Sequence, residues 1–244
     1  METKYRKRIY GYYVQGRSKA LAPATLDGLA PRVPYLRRLI REHFPTDRAA
    51  AILDVGCGHG ALMHVARQAG YTNMRGVDVS PEQVAAARKL GIAGVEQGDM
   101  LDTLKAQADE SRDLVVGFDV IEHFTRDEVL GLVDEVYRVL RSGGRWIIHT
   151  PNDESPFGVR MRYGDLTHEL AFTHTSISQL LLSSGFSSVR SYEDTPIPHS
   201  VKGFVRWVLW KAIRSSLWFY VAVETGDVTD VHVFSQNFLT VAIK

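Results

Sequence analysis

The sequence predicts an α/β protein: a doubly wound, mostly parallel seven-stranded sheet whose last strand runs antiparallel. Three observations carry this expectation. From residue 51 onward short β-branched runs alternate with helical patterns, and strands spaced by helices of that length imply βαβ units with right-handed crossovers. A glycine-rich loop also follows the first run directly, at Gly56, Gly58 and Gly60.

The elements follow in order. PYLRRLIREHF (34–44) reads as a helix packed on the sheet before the first strand, AILDV (51–55) as a buried strand, and ALMHVARQAG (61–70) as a helix closed by glycine. NMRGVDV (73–79) is the next strand. The helix SPEQVAAARKLG (80–91) then carries Ser at its N-cap, Pro at its first position and Gly at its end. AGVEQGD (93–99), DLVVGFDV (113–120), the helix 126–140 and the strand RWIIHT (145–150) continue the rhythm. A polar stretch, 151–173, leads to a helix from Thr175 to Gly185, the strand SSVRSYE (187–193) and an alternating segment, 230–244, expected to pair antiparallel beside its predecessor.

At 244 residues, with 45% hydrophobic and 23% charged composition, the chain suits one globular unit with a full core. The expected partition is an N-terminal helical cap or arm (1–48) and a catalytic domain (49–244) with a helical insertion at about 195–226. Cys57 is the sole cysteine, which excludes an intrachain disulfide and a multi-cysteine zinc site. Met1 to Gly11 lacks the apolar core of a secretory leader, and no run of 18 uncharged apolar residues occurs. The expectation is a cytoplasmic protein. Its net charge of +1 conceals an asymmetry, because residues 1–48 hold 11 Lys/Arg against 4 Asp/Glu and residues 195–225 hold 4 against 1. Two basic appendages on an acidic body suggest an anionic partner.

The chemistry concentrates at the ends of the strands. Asp54-Val55-Gly56-Cys57-Gly58-His59-Gly60 runs from strand one into a helix, where glycines allow close backbone approach to a ligand and helix N–H groups offer donors. Gly56, Gly58 and Ala61 equally satisfy the dinucleotide pattern G-x-G-x-x-G/A. Asp78, ending strand two, stands where a carboxylate accepts ribose hydroxyls, which a nicotinamide enzyme would also use. Gly98-Asp99-Met100 after strand three and Phe118-Asp119 after strand four add a carboxylate with an apolar neighbour, and an aromatic with a carboxylate.

Taken together, ILDVGCGHGAL, GVDVS, QGDM, LVVGFDVIEHF and EVYRVLRSGGRWIIHTPN resemble the class I S-adenosyl-L-methionine (SAM)-dependent methyltransferases. The likeness is to the small-molecule branch that includes ubiquinone-biosynthesis O-methyltransferases and many saccharide methyltransferases. It implies a Rossmann-like methyltransferase fold and SAM as cofactor. Asp54, Gly56, Cys57 and Gly58 would hold its methionine part, Asp78 with Val79 the ribose, Asp99 and Met100 the adenine, and Phe118 with Asp119 the sulfonium side. An alcohol acceptor benefits from a general base. His168, in the polar loop Tyr163–Glu169, is the first choice, with His123 and His149 as the others and His174 nearby. Asp119, Glu122 and His123 resemble the set that holds a divalent cation in metal-assisted ubiquinone-type members, yet no metal is assigned. The segment after strand four lacks the Asn/Asp-Pro-Pro-Tyr/Phe arrangement of nucleic-acid adenine and glutamine N-methyltransferases, which argues against an exocyclic amide or amine nitrogen as acceptor; no nucleic-acid partner is expected.

The expected function is O-methylation of a small molecule or of a saccharide on a lipid or polymer, as in polysaccharide biosynthesis. A quinone-like phenol, and a non-catalytic SAM- or nucleic-acid-binding protein, stand as alternatives. The arm at 1–23 interleaves tyrosines with Lys and Arg and reads as a cap over the acceptor cleft. In the insertion, Val201, Phe204, Val205, Val208, Leu209, Ala212 and Phe219 share one side of a helix, with Lys202, Arg206, Lys211, Arg214, Trp207 and Trp210 on the other. That pattern suits peripheral contact with an anionic membrane through 201–220. Burial against the body or in a homodimer is the rival reading.

Overall fold

A computed structural model describes residues 8–9, 22–229 and 232–244. The tyrosine-rich arm (1–23) therefore lies almost wholly outside the described residues. The elements are α1 (Val33–His43), β1 (Ile52–Val55), α2 (Ala61–Gln68), β2 (Met74–Asp78), α3 (Pro81–Lys89), β3 (Val95–Gln97), α4 (Met100–Lys105), β4 (Arg112–Phe118), α5 (Arg126–Val139), β5 (Leu140–Pro151), α6 (Gly158–Arg162), α7 (His174–Ser183), β6 (Ser188–Glu193), α8 (Val201–Thr225) and β7 (Asn237–Ile243). Single 3₁₀ turns occupy Leu26–Leu29 and Ile121–His123.

The sheet order is β3-β2-β1-β4-β5-β7-β6. β1 to β5 pair in parallel, and β7 runs antiparallel to both β5 and β6. The expected antiparallel last strand is present, but it slots between β5 and β6, and it spans only Asn237–Ile243 where the alternating pattern began at 230. Residues 232–236 leave the ladder because they turn back under the carboxyl ends of the strands: Asn152 Nδ2 donates to the carbonyls of Val233 (2.6 Å) and Ser235 (2.8 Å).

Side chains alternate across the sheet and build a core on each face. Leu53, Val115, Trp146 and Ile148 pack with α5 and α7 through Leu132, Val136, Ile177 and Leu181. Ile52, Leu114, Val116 and Ile147 pack with α1, α2 and α3 through Leu39, Met63, Ala66 and Ala87. Each fully buried aliphatic side chain of this set contributes about 1.5–3 kcal/mol. Caps fix where the helices begin. Ser80 accepts from the Gln83 amide at 3.4 Å with Pro81 at the first position, and Thr125 with Glu128 forms a reciprocal box at α5. The result is a helix–sheet–helix sandwich with every loop that follows a parallel strand at one edge, where such folds bind ligands. α8 belongs to neither helical layer, for Gly203 is its sole buried residue.

Candidate functional site

A cleft of about 660 Å³ opens at the carboxyl ends of β1 to β4, within the roughly 300–1,000 Å³ usual for small-ligand sites. All ten residues expected to hold the cofactor line it: Asp54, Gly56, Cys57, Gly58, Asp78, Val79, Asp99, Met100, Phe118 and Asp119. Of the three candidate bases, His123 lines the cleft, and His149 and His168 do not.

The glycine loop has the shape its composition demands. Gly56 adopts φ +69, and a Cβ there would stand 2.3 Å from Val120 Cγ2, so both conformation and space require glycine. Gly58, at φ +56, has no atom closer than 3.7 Å to where a Cβ would sit, leaving open room beside its backbone. Asp78 ties the loop down: Oδ2 accepts the Gly58 amide at 2.7 Å and Oδ1 the Ser80 amide at 2.8 Å. Burial nevertheless pushes the Asp78 carboxyl above its ordinary range. Burial, followed by repulsion from Asp78, lifts Asp54 to about 8, so Asp54 is a neutral acid at pH 7.

Asp99 is the N-cap of α4, with Oδ1 accepting from Leu101 (2.8 Å) and Asp102 (3.1 Å). Both bonds fall on one oxygen, so the cap does not use the other. Asp119, at the end of β4, holds φ +54, rare for a residue with a side chain and characteristic of functional turns. Its carboxylate keeps 57% of its side-chain surface open, yet is anchored from below by His149 Nδ1, which donates to Oδ1 at 2.7 Å. The His149 ring also stacks on Phe118 at 4.9 Å and lies 3.6 Å from Asp194 through Nε2. Burial opposes a charged imidazole, but Asp119 and then Asp194 prevail and raise His149 to about 10. Those carboxylates favour its charged form beneath the cleft.

His123 differs. Its Nδ1 donates to Thr167 Oγ1 (2.9 Å) and is 3.2 Å from the Thr167 carbonyl, while the Thr167 hydroxyl donates to Asp165 Oδ1 at 2.7 Å. This chain fixes the tautomer and leaves the ring's lone pair on Nε2. Burial, then the neighbouring His168, lowers His123 to about 4. His168 packs edge-on against it at 4.9 Å and donates from Nδ1 to the Arg162 carbonyl at 3.1 Å. Glu122, buried and lifted to about 8 by desolvation and by Asp119, accepts from Thr150 Oγ1 at 3.0 Å and presents Oε1 4.0 Å from His168 Nε2. Glu122, His123 and His168 each place a ligand atom within 4.8 Å of the others, a spacing a divalent cation accepts. His174 lies elsewhere, paired with Glu154 at 2.8 Å.

Other lining residues were not singled out from the sequence: Arg32, Gln83, Asp102, Lys105 and Glu128. Gln83 had a signal, the Ser80 cap that orients its helix. Arg32 had none, since it arrives from a turn distant in sequence. The Thr167–Asp165 link to His123 was equally hidden, because it joins segments 44 positions apart. Apart from the neutral Asp54, the lining set holds five carboxyl side chains, Asp78, Asp99, Asp102, Asp119 and Glu128, against Arg32 and Lys105, which favours a cationic ligand.

A family model described as a methyltransferase domain matches residues 53–148. Among curated proteins, ajmaline N-methyltransferase of Rauvolfia serpentina is 36% identical over 165 residues, covering 60% of this chain and 52% of that protein. A ubiquinone biosynthesis O-methyltransferase of Xylella fastidiosa is 30% identical over 138 residues, 54% of this chain and 50% of that protein. The chain thus spans about half the length of the curated relatives it matches. In fold it is similar to a SAM-dependent methyltransferase from Archaeoglobus fulgidus, with TM-score 0.65, 18% identity, and coverage of 99% of this chain and 100% of that one.

Proposed function

Because the chain carries a class I SAM-dependent methyltransferase domain, we propose that it methylates an oxygen of a small molecule or saccharide, with His123 as the base. The observation that carries the reading is the hydrogen-bonded chain His123–Thr167–Asp165, which orients the imidazole at the cleft wall and backs it with a carboxylate. A hydroxyl gains most from such a group, since its own proton is held tightly.

The lining residues fit the cofactor on chemical grounds. The excess of carboxylates suits a ligand bearing both a sulfonium and an ammonium, Asp78 stands where a ribose diol would be accepted, and Val79 and Met100 offer apolar sides for a purine. When bound, SAM supplies a methyl group whose bonding pair to sulfur stays on the sulfur. The chain's own residues do the rest. Phe118 and Asp119 form the wall nearest the reacting end, Arg32 and Tyr35 approach that end from α1 and the turn before it, and His123 takes the acceptor proton on Nε2. Tight positioning and exclusion of water supply much of the acceleration of a displacement of this kind.

The test is methyl transfer from labelled SAM to a panel of hydroxylated small molecules and sugars, read with the wild type and with His123→Ala. Label on oxygen, with turnover of the variant down about 10²–10⁴-fold and SAM affinity unchanged, supports the reading. Label on nitrogen, or full turnover of His123→Ala, overturns it.

A further inference from the structure

α8 inverts the usual order of an amphipathic helix. Its half-buried seam, facing the body, is Trp207, Trp210, Arg214, Leu217 and Val221 at spacings of three and four. Arg214, grouped by sequence with the solvent-facing cations, instead turns inward and donates to Glu193 at 3.1 Å. The opposite row, Val201, Val205, Val208, Phe219 and Val223, is apolar and carries exposures from 45% to 85%. Ala212 and Ser216 complete that row, so no charged side chain interrupts it from Val201 to Val223, about 34 Å of helix. Soluble proteins seldom leave an apolar strip of this length facing water.

We propose that this face of α8 docks on an anionic lipid surface. Charge selects the occupant. Lys202 and Arg206 flank the strip on one side and Lys211 on the other, and the helix has one acid, Glu224, at its far end. A basic-flanked apolar strip is complementary to an anionic headgroup layer over acyl chains. A second patch repeats the chemistry: around α6, Phe157, Val159, Tyr163 and Leu166 are exposed at 58% to 81% beside Arg160. The two are tied together, because Glu154, just before α6, pairs with His232 at 3.0 Å in the return from α8. Two separate protruding patches suit a deformable lipid layer better than the single groove a second copy would need. The helix lies on the layer and does not cross it, for among the described residues no helix is long and apolar enough to span a membrane.

Vesicle co-sedimentation tests this without reference to any acceptor, using phosphatidylcholine alone and phosphatidylcholine with phosphatidylglycerol at low and high salt. Two variants accompany the parent: Lys202→Gln/Arg206→Gln/Lys211→Gln, and Val205→Asn/Leu209→Asn, both at exposed positions and checked for native circular dichroism. The expected result is sedimentation with anionic vesicles that salt reverses, weakened roughly a hundredfold in the three-cation variant, at about fivefold per cation, and lost in the apolar variant. No sedimentation of the parent at low salt, or sedimentation that neither variant alters, overturns the proposal. A dimer by light scattering that Val205→Asn/Leu209→Asn dissociates, without vesicle binding, assigns the face to a second copy instead.

Discussion

His149 Nδ1 and Asp119 Oδ1 stand 2.7 Å apart, joining the carboxyl ends of β5 and β4 beneath the cleft. The same two residues are also linked through the main chain, where the Asp119 amide donates to the His149 carbonyl at 2.9 Å. One residue in the left-handed region is thereby held from two sides, and a carboxylate is presented to the cleft with its orientation set.

The pair predicts a specific titration. His149 is raised to about 10 in the folded chain, above its unfolded value near 6.5. Its contribution to stability is fully present below pH 6.5 and is lost as pH rises through about 10. Asp119 is shifted the other way: the cleft walls around it oppose ionisation, but the imidazolium of His149 lowers it, so its contribution is present above the ordinary carboxylate range and fades as pH falls through its depressed value. NMR of the imidazole should show His149 still protonated at pH 8. His149→Gln should cost about 1–3 kcal/mol by urea unfolding at pH 7, the worth of a hydrogen bond between charged partners.

Asp54 predicts the opposite slope for an acid. Its carboxyl is raised to about 8, so the native state holds a proton that the unfolded chain releases near 3.8. That contribution is fully present below pH 3.8 and is lost as pH rises through 8. Asp54→Asn keeps the neutral shape and removes the penalty, so its stability relative to the wild type should be lowest below pH 3.8, rise as pH climbs from there to about 8, and level off above, read by thermal unfolding across the range. A variant equally destabilised at every pH would show that ionised Asp54 is native.

The glycine loop and its anchor should separate into two phenotypes. Gly56→Ala forces a Cβ to 2.3 Å from Val120 Cγ2 at φ +69, and should lower stability by at least about 1–3 kcal/mol. Asp78→Asn keeps the size of the side chain but leaves one of the two amides it accepts facing an NH2 group, so it should lower stability by about 1–3 kcal/mol and also weaken SAM by about 1.5–3 kcal/mol in calorimetry. Undiminished affinity in a folded Asp78→Asn would remove the ribose role.

What could be read from the sequence was local. The glycine loop, the Ser80 cap and the strand-end acids declare themselves within a few residues, because turn geometry and capping are short-range physics. Residues whose place depends on packing across the chain did not. His168 sits in the polar loop as expected, yet packs behind His123 because Glu122, Asp165 and the Arg162 carbonyl surround it. Arg214 falls on the cationic side of a helical wheel, but Glu193 draws it inward. Asp99 serves as a helix cap as well as lining the cleft, and its cap was invisible while α4 went unrecognised.

The placement of β7 between β5 and β6 bears on how the chain assembles. A nascent polypeptide emerging in order can zip β1 to β5 together as it appears, each new strand finding a neighbour already made. β6 cannot join that growth, since the edge it needs belongs to a strand synthesised only after the whole of α8. Closure of this half of the sheet is therefore a late, non-local event of the slow kind, and until it happens the open side of β5 is displayed in addition to the strip on α8, which stays exposed afterwards.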